Sequence, residues 1–153
     1  MDIHADSPVV GKYAFIISTQ DRKITVNGFT NFLGSKTVPV VDAVVAYDCE
    51  FTGKIYILII KNALYFEEMK VSLIASCILR LASLQVNEIP KFMAEYPTLD
   101  HHSILIPNTD ARIPMSLKGI IFYLSTRLPT SDEINYRHVN PDQYIDLTPD
   151  LSE

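Results

Sequence analysis

At 153 residues, 48% hydrophobic and 20% charged, the chain has the size and composition of one globular domain with its own core, which argues against a disordered chain. Thirteen basic residues against eighteen acidic ones leave a net charge of −5, which argues against a basic nucleic-acid-binding domain. The acid is concentrated at one end. From Ser131 onward six acids (Asp132, Glu133, Asp142, Asp146, Asp150 and Glu153) face one base, Arg137, whereas residues 1–130 carry twelve of each sign. The expected division is a neutral domain over 1–130 and an acidic, loosely ordered tail over 131–153.

Cys49 and Cys77 have no CxxC spacing, so neither a disulfide framework nor a zinc knuckle is expected, and reduced thiols suit an intracellular protein. The opening Met1-Asp2-Ile3-His4-Ala5-Asp6 carries early acids where a signal peptide has a basic and then an apolar stretch. The longest fully apolar run is six residues, 55–60, against roughly 20 for a membrane-crossing helix. A soluble intracellular chain without membrane contact is expected.

In chain order the pattern is mainly β. Residues 13–18 are rich in β-formers and follow Gly11, a breaker; residues 23–27 alternate polar and apolar and end at Asn27-Gly28, a turn signal. Residues 38–47 are almost wholly apolar, 48–53 read as a turn, and 54–61 as a returning strand. The unbroken apolar run 55–60 predicts a strand buried on both faces. Residues 63–66 form a further short strand candidate. Leu73, Cys77, Leu81 and Leu84 fall at helical spacing and predict one short helix over 73–84, ended by Asn87 and Pro90. Residues 90–97 could add a helical turn. Residues 103–106 read as a strand, 107–110 as a turn, and 112–124 as a strand pair bent at Pro114 or Gly119.

Few of the usual chemical motifs occur. Five dispersed glycines make no phosphate loop, and HExxH and GxSxG are both missing from the sequence. Adjacent His101 and His102 would point to opposite faces of a strand, so they read as a solvated loop; no metal and no cofactor is expected. The aromatic residues sit inside apolar runs without interleaved Lys or Arg, which assigns them to the core and not to base stacking. The informative stretch is the first eleven residues, where Asp2 and Asp6 lie four apart beside a small residue and an apolar run. Paired carboxylates sharing one proton can activate water and protonate a leaving group. One short chain holds one copy of such a loop, so the second carboxylate would come from a partner. On the residues alone, an acidic turn with Asp6 as an exposed structural acid is the plainer reading.

An ordered series of segments carries a more specific resemblance. Asp2-Ile3-His4-Ala5-Asp6-Ser7-Pro8-Val9-Val10-Gly11 resembles the Asp-Ser-His-Ala-Asp segment opening the protease region in polyproteins of copia-like LTR retrotransposons. Residues 38–48, followed by 52–60, are similar to the strand and hairpin that come next in those elements. Residues 62–66, 71–76 and 79–81 resemble the Asn-Val-Leu-Tyr-Val-Pro, His-Asn-Leu-Leu-Ser and Gln-Leu-Arg-Leu stretches near the protease end, and 86–92 and 97–102 continue the likeness. It spans residues 2–129.

The resemblance implies a retropepsin-like closed barrel with a long hairpin and one short helix, acting as an aspartic-type endopeptidase on a peptide or polyprotein. Asp2 would be the catalytic carboxylate and Ile3, His4, Ala5 and Asp6 the rest of its loop. Glu50, Phe51, Thr52, Gly53 and Lys54 would form the flap, and Leu73, Ile74 and Ala75 the apolar segment behind the loop. A homodimer is implied if the chain is catalytic, with no nucleic acid and no membrane partner. Two departures predict a catalytically impaired fragment. Ile3 stands where the family has a hydroxyl that braces the two loops, and a lost bond of that kind costs about 1–3 kcal/mol per unsatisfied partner. Only Met1 precedes Asp2, so the N-terminal strand that enters the loop is expected to be missing and Asp2 to fray. The alternatives are a non-enzymatic β-rich interaction module that adds a strand to a partner's sheet, and an unused translated remnant.

Overall fold

The computed structural model describes residues 7–27, 35–49, 53–74, 76–88, 102–106, 112–118, 121–135 and 143–149. Three long strands dominate: β2 (Phe15–Asn27), β3 (Ser35–Asp48) and β4 (Ile55–Tyr65) form an antiparallel meander. Short β1 (Val9–Val10) and β10 (Tyr144–Asp146) both lie parallel to β4 on the edge away from β3. Between them in sequence come α1 (Ser76–Leu81), a three-stranded sheet of β5 (Gln85–Glu88), β6 (His102–Leu105) and β7 (Arg112–Pro114), a β8 (Ser116–Lys118)–β9 (Ile121–Tyr123) ladder, and α2 (Ser131–Asn135).

β3 shows how the sequence sets the layers. Its odd positions Val41, Ala43, Val45 and Tyr47 enter the main core with Tyr56, Leu58 and Ile60 of β4. Val86, Ile104 and Ile113 of the smaller sheet, Leu79 of α1, and Ile145 and Leu147 belong to the same core. Its even positions face the other way and are also covered. Val38 and Val40 join Val9, Val26, Leu64 and Phe66, while Val44 and Ala46 join Ile57 and Ile59 under Ile134 and Tyr144. Burial on both faces, expected from the apolar run, holds for residues 56–60 of β4.

Asp42 divides the two outer patches and carries a polar chain across the sheet. Its carboxylate accepts from the Asn62 backbone N–H (3.0 Å) and the Ser18 hydroxyl (3.2 Å), and Gln20 Nε2 donates to Asn62 Oδ1 (2.6 Å). The register steps here from Val41↔Ala63 to Ala43↔Ile60, so β4 carries one extra residue. Asn62 has φ 56°, the left-handed conformation that asparagine tolerates. Because side chains alternate, that extra residue returns Ala63 to the main core after Ile60.

Several expectations need correction. Among the described residues the sheet does not close into a barrel: β2 has β3 as its only strand neighbour, and the far edge of β4 carries only short β1 and β10. Closure needs hydrogen-bonded strands of matched stagger around the whole ring. Residues 54–61 and 63–66 are one strand, joined through the Asn62 bulge. The helix is shorter than its apolar stripe, because the backbone of Leu73 bonds Val9 and Leu84 follows Ser83, which has φ 69°. The strand pair over 112–124 does break after Pro114, where pairing switches from β6 to the β8–β9 ladder. The acidic region from Ser131, expected as a loose tail, supplies α2 and β10, with Ile145 and Leu147 buried. Tyr144-Ile145-Asp146-Leu147 alternates, and β4 has an edge to pair with it. Gly28 of the turn signal, the helical turn over 90–97 and the turn over 107–110 lie outside the described residues.

Candidate active site

The candidate loop Asp2, Ile3, His4, Ala5 and Asp6 lies outside the described residues, as do Glu50, Phe51, Thr52 and Ala75. What the structure describes is the seat of β1, the strand that follows that loop in sequence. β1 is threaded between two segments. On one side Leu64 N–H donates to the Pro8 carbonyl (2.9 Å) and Phe66 N–H to the Val10 carbonyl (3.0 Å). On the other side Val9 and Leu73 exchange both backbone bonds at 2.8 Å, and Lys12 N–H donates to the Met69 carbonyl (2.8 Å). Gly11 N–H reaches the Ser72 hydroxyl at 3.3 Å. Val9 and Val10 are fully buried, which fits a strand with neighbours on both edges and apolar cover on both faces.

Gly11 makes this threading sterically possible. A Cβ there would stand 2.4 Å from the Met69 carbonyl oxygen and 2.8 Å from that of Val71. These are backbone atoms that cannot rotate away, so any side chain would push residues 69–71 off β1. Leu73 thus meets Val9 three residues after Asp6, and Ile74 packs against the main core. Leu73 and Ile74, the described part of the apolar segment expected behind the loop, thus lie beside β1 and the main core.

The two described flap candidates, Gly53 and Lys54, lie at the end of β4 away from β1. Gly53 and Lys54 sit in the tight turn before β4, where Gly53 N–H donates to Cys49 O and Cys49 N–H to Lys54 O, both at 2.9 Å. Gly53 adopts φ 71° in open space. β1 pairs with the opposite end of β4, at Leu64 and Tyr65. Lys54 and Leu64 stand ten positions apart, about 30 Å along a strand at the usual rise.

A second polar centre, which the sequence reading missed, surrounds Arg127. Its guanidinium donates to both oxygens of Asp48 (2.7 and 2.9 Å) and both of Glu133 (2.8 and 2.7 Å). Arg127 also exchanges backbone bonds with Ala46 at 2.8 and 2.9 Å. Glu133 is braced from its own helix start: Thr130 N–H donates to its carboxylate (2.7 Å), and the Thr130 hydroxyl accepts from Glu133 N–H (3.3 Å). That reciprocal pair is a capping box, written in the sequence as Thr130-x-x-Glu133. The Arg127 hydrogen bonds hold the Glu133 carboxyl down at about 2 and lower that of Asp48, and bonding to Glu133 and then Asp48 raises Arg127. Among the described residues no three His, Cys, Asp or Glu side chains are grouped to hold a metal ion, and no helix is long and apolar enough to cross a membrane.

Comparison with known proteins gives no match to a family model, to a curated protein or to a solved structure.

Proposed function

We propose that this chain is a retropepsin-like domain from a retrotransposon polyprotein, an aspartic-peptidase relative impaired by the residue beside its catalytic carboxylate. The observation that carries the reading is the threaded β1. A catalytic loop needs its carboxylate fixed to within a fraction of an ångström. Here the strand leaving the candidate loop is bonded along both edges and seated by Gly11 against residues 69–71. Asp2 is the proposed catalytic group, and its partner carboxylate comes from a second copy of the chain. Val71 (58% exposed), Leu73 (38%) and Leu81 (71%) offer apolar surface on the stretch beside that seat, suited to burial in a homodimer.

The impairment is assigned to Ile3, which has no hydroxyl with which to bridge two loops. The test is peptide cleavage at pH 4 to 6, with and without pepstatin, alongside sedimentation over micromolar concentrations. A dimer is expected, with Ile3→Ser raising pepstatin-sensitive cleavage that Asp2→Asn abolishes. A strict monomer, or an Ile3→Ser protein with no gain, overturns the proposal.

One observation favours a non-enzymatic interaction module. Among the described residues β2 ends the sheet, and Tyr13 just before it and Phe15 and Ile17 on it are 48%, 42% and 51% exposed. Against it, the β2 register shifts between Ile16 and Ser18 and again between Thr19 and Lys23. Such irregularities twist an edge away from strand addition.

A further inference from the structure

We infer that residues 127–135 and 143–149 form a strap latched by Arg127, and that releasing the latch frees β10 from the edge of β4 while the β2–β3 ladder stays folded. The strap is anchored at two places. At its start, Arg127 joins the backbone of Ala46 and the carboxylates of Asp48 and Glu133. At its end, β10 pairs with Ile57, Leu58 and Ile59, Leu147 N–H donates to the Ile59 carbonyl (2.9 Å), and Thr148 Oγ accepts from Lys61 N–H (2.9 Å). Between these anchors α2 buries no residue fully.

The two anchors are connected. Tyr144 donates its hydroxyl to the Glu133 carbonyl, and Gln143 Nε2 donates to the Ile55 carbonyl at 3.1 Å. Glu133 therefore bonds Arg127 with its side chain and the start of β10 with its backbone. The groups holding Arg127 are Asp48 from β3, Glu133 from α2 and the Leu128 carbonyl. Arg127 and Asp48 are 37% and 56% exposed, so dissolved ions reach this end of the latch. The distal anchor is short and apolar, with three register pairs plus Ile145 and Leu147 in the main core. Strands held by so few bonds open as units of their own, below the free energy of global unfolding.

The test is native-state hydrogen exchange on the full chain. The reporters are the Leu147 and Lys61 amides, and the controls are the amides bonded between β2 and β3 over residues 23–27 and 35–39. In Arg127→Met both reporters are expected to exchange at least tenfold faster than in the parent while the controls change less than twofold. High salt should move the parent in the same direction. Should Arg127→Met fail to fold, Glu133→Gln is read on the same amides, with at least threefold acceleration expected. Reporters that do not accelerate would show that Arg127 does not hold the strap. Reporters and controls accelerating together would show that the strap has no opening of its own. Either result overturns the inference.

Discussion

Gly11→Ala is the most direct probe of the threaded strand. Gly11 does not have a left-handed φ, so alanine can adopt its backbone angles. On conformational grounds alone the change would stabilise by about 0.4–1 kcal/mol, through a less flexible unfolded chain. The packing sets the opposite sign. The new methyl would lie 2.4 Å from the Met69 carbonyl oxygen, 2.8 Å from that of Val71 and 3.0 Å from the Met69 carbonyl carbon. Relief requires moving residues 69–71, which also carry the Lys12–Met69 bond. Overpacking costs about 1–3 kcal/mol where side chains can adjust. With rigid backbone on the far side the upper end applies, and a net loss of about 2 kcal/mol or more is expected. In urea the midpoint should fall with little change of slope, and melting should drop by roughly 4–8 °C. Gly53→Ala is the control, since nothing stands within 4 Å of its Cβ and its φ is 71°. It should cost about 1 kcal/mol from backbone conformation alone. A neutral or stabilising Gly11→Ala would refute the close approach of β1 to residues 69–71.

Other expectations follow from the sheet and the latch. Leu58→Ala and Ile59→Ala point to opposite faces and are both about 1% exposed, so each should cost about 2–5 kcal/mol in chemical denaturation; an Ile59→Ala effect near zero would deny the outer core. Asn62→Ala should lose roughly 2 kcal/mol, from its positive φ and its bond to Gln20, whereas Asn62→Gly should lose about half as much. Glu133 and Asp48 have carboxyl groups lowered by Arg127, Glu133 to about 2. Such groups add stability above their unfolded values and lose it as pH falls through the folded ones. Melting temperature should therefore hold steady from pH 7 to 5 and decline below about 4.5, with a smaller acid-dependent decline in Glu133→Gln.

What the sequence displayed and what it concealed divide along local and non-local lines. The β3–β4 hairpin was legible because two apolar runs flank a polar turn ending at Gly53. The double burial of β4 was legible because alternation stops over residues 55–60. Asn62 hid the continuation of the same strand, since a bulge breaks the pattern that marks a strand. Leu73 fits the helical stripe in spacing, but its backbone is taken by Val9, a partner far away in sequence. The same holds for Gly11, readable as a breaker and not as a close contact, and for Arg127, one base beside an acidic region whose partner Asp48 lies on β3. For the proposed catalytic group, the sequence names Asp2 and the described residues begin at Ser7.

β4 explains why stability and proposed activity should respond to different residues. Its outer edge receives β1 and β10, both parallel to it, and parallel neighbours require long excursions of chain between them. The strands themselves are only two and three residues long, too short to be held by ladder bonds alone. Each is fixed by a local device: Gly11 and Ser72 for β1, Arg127 and Glu133 for β10. Damage to either device loosens a strand that contributes to buried clusters, so it must appear in denaturation curves. Asp2 and Ile3 precede the threaded seat in sequence, and none of those contacts is made by either residue. Substitutions there should change cleavage or dimerisation with little change in urea midpoint. The separation gives the peptidase reading a signature that lost folding cannot imitate.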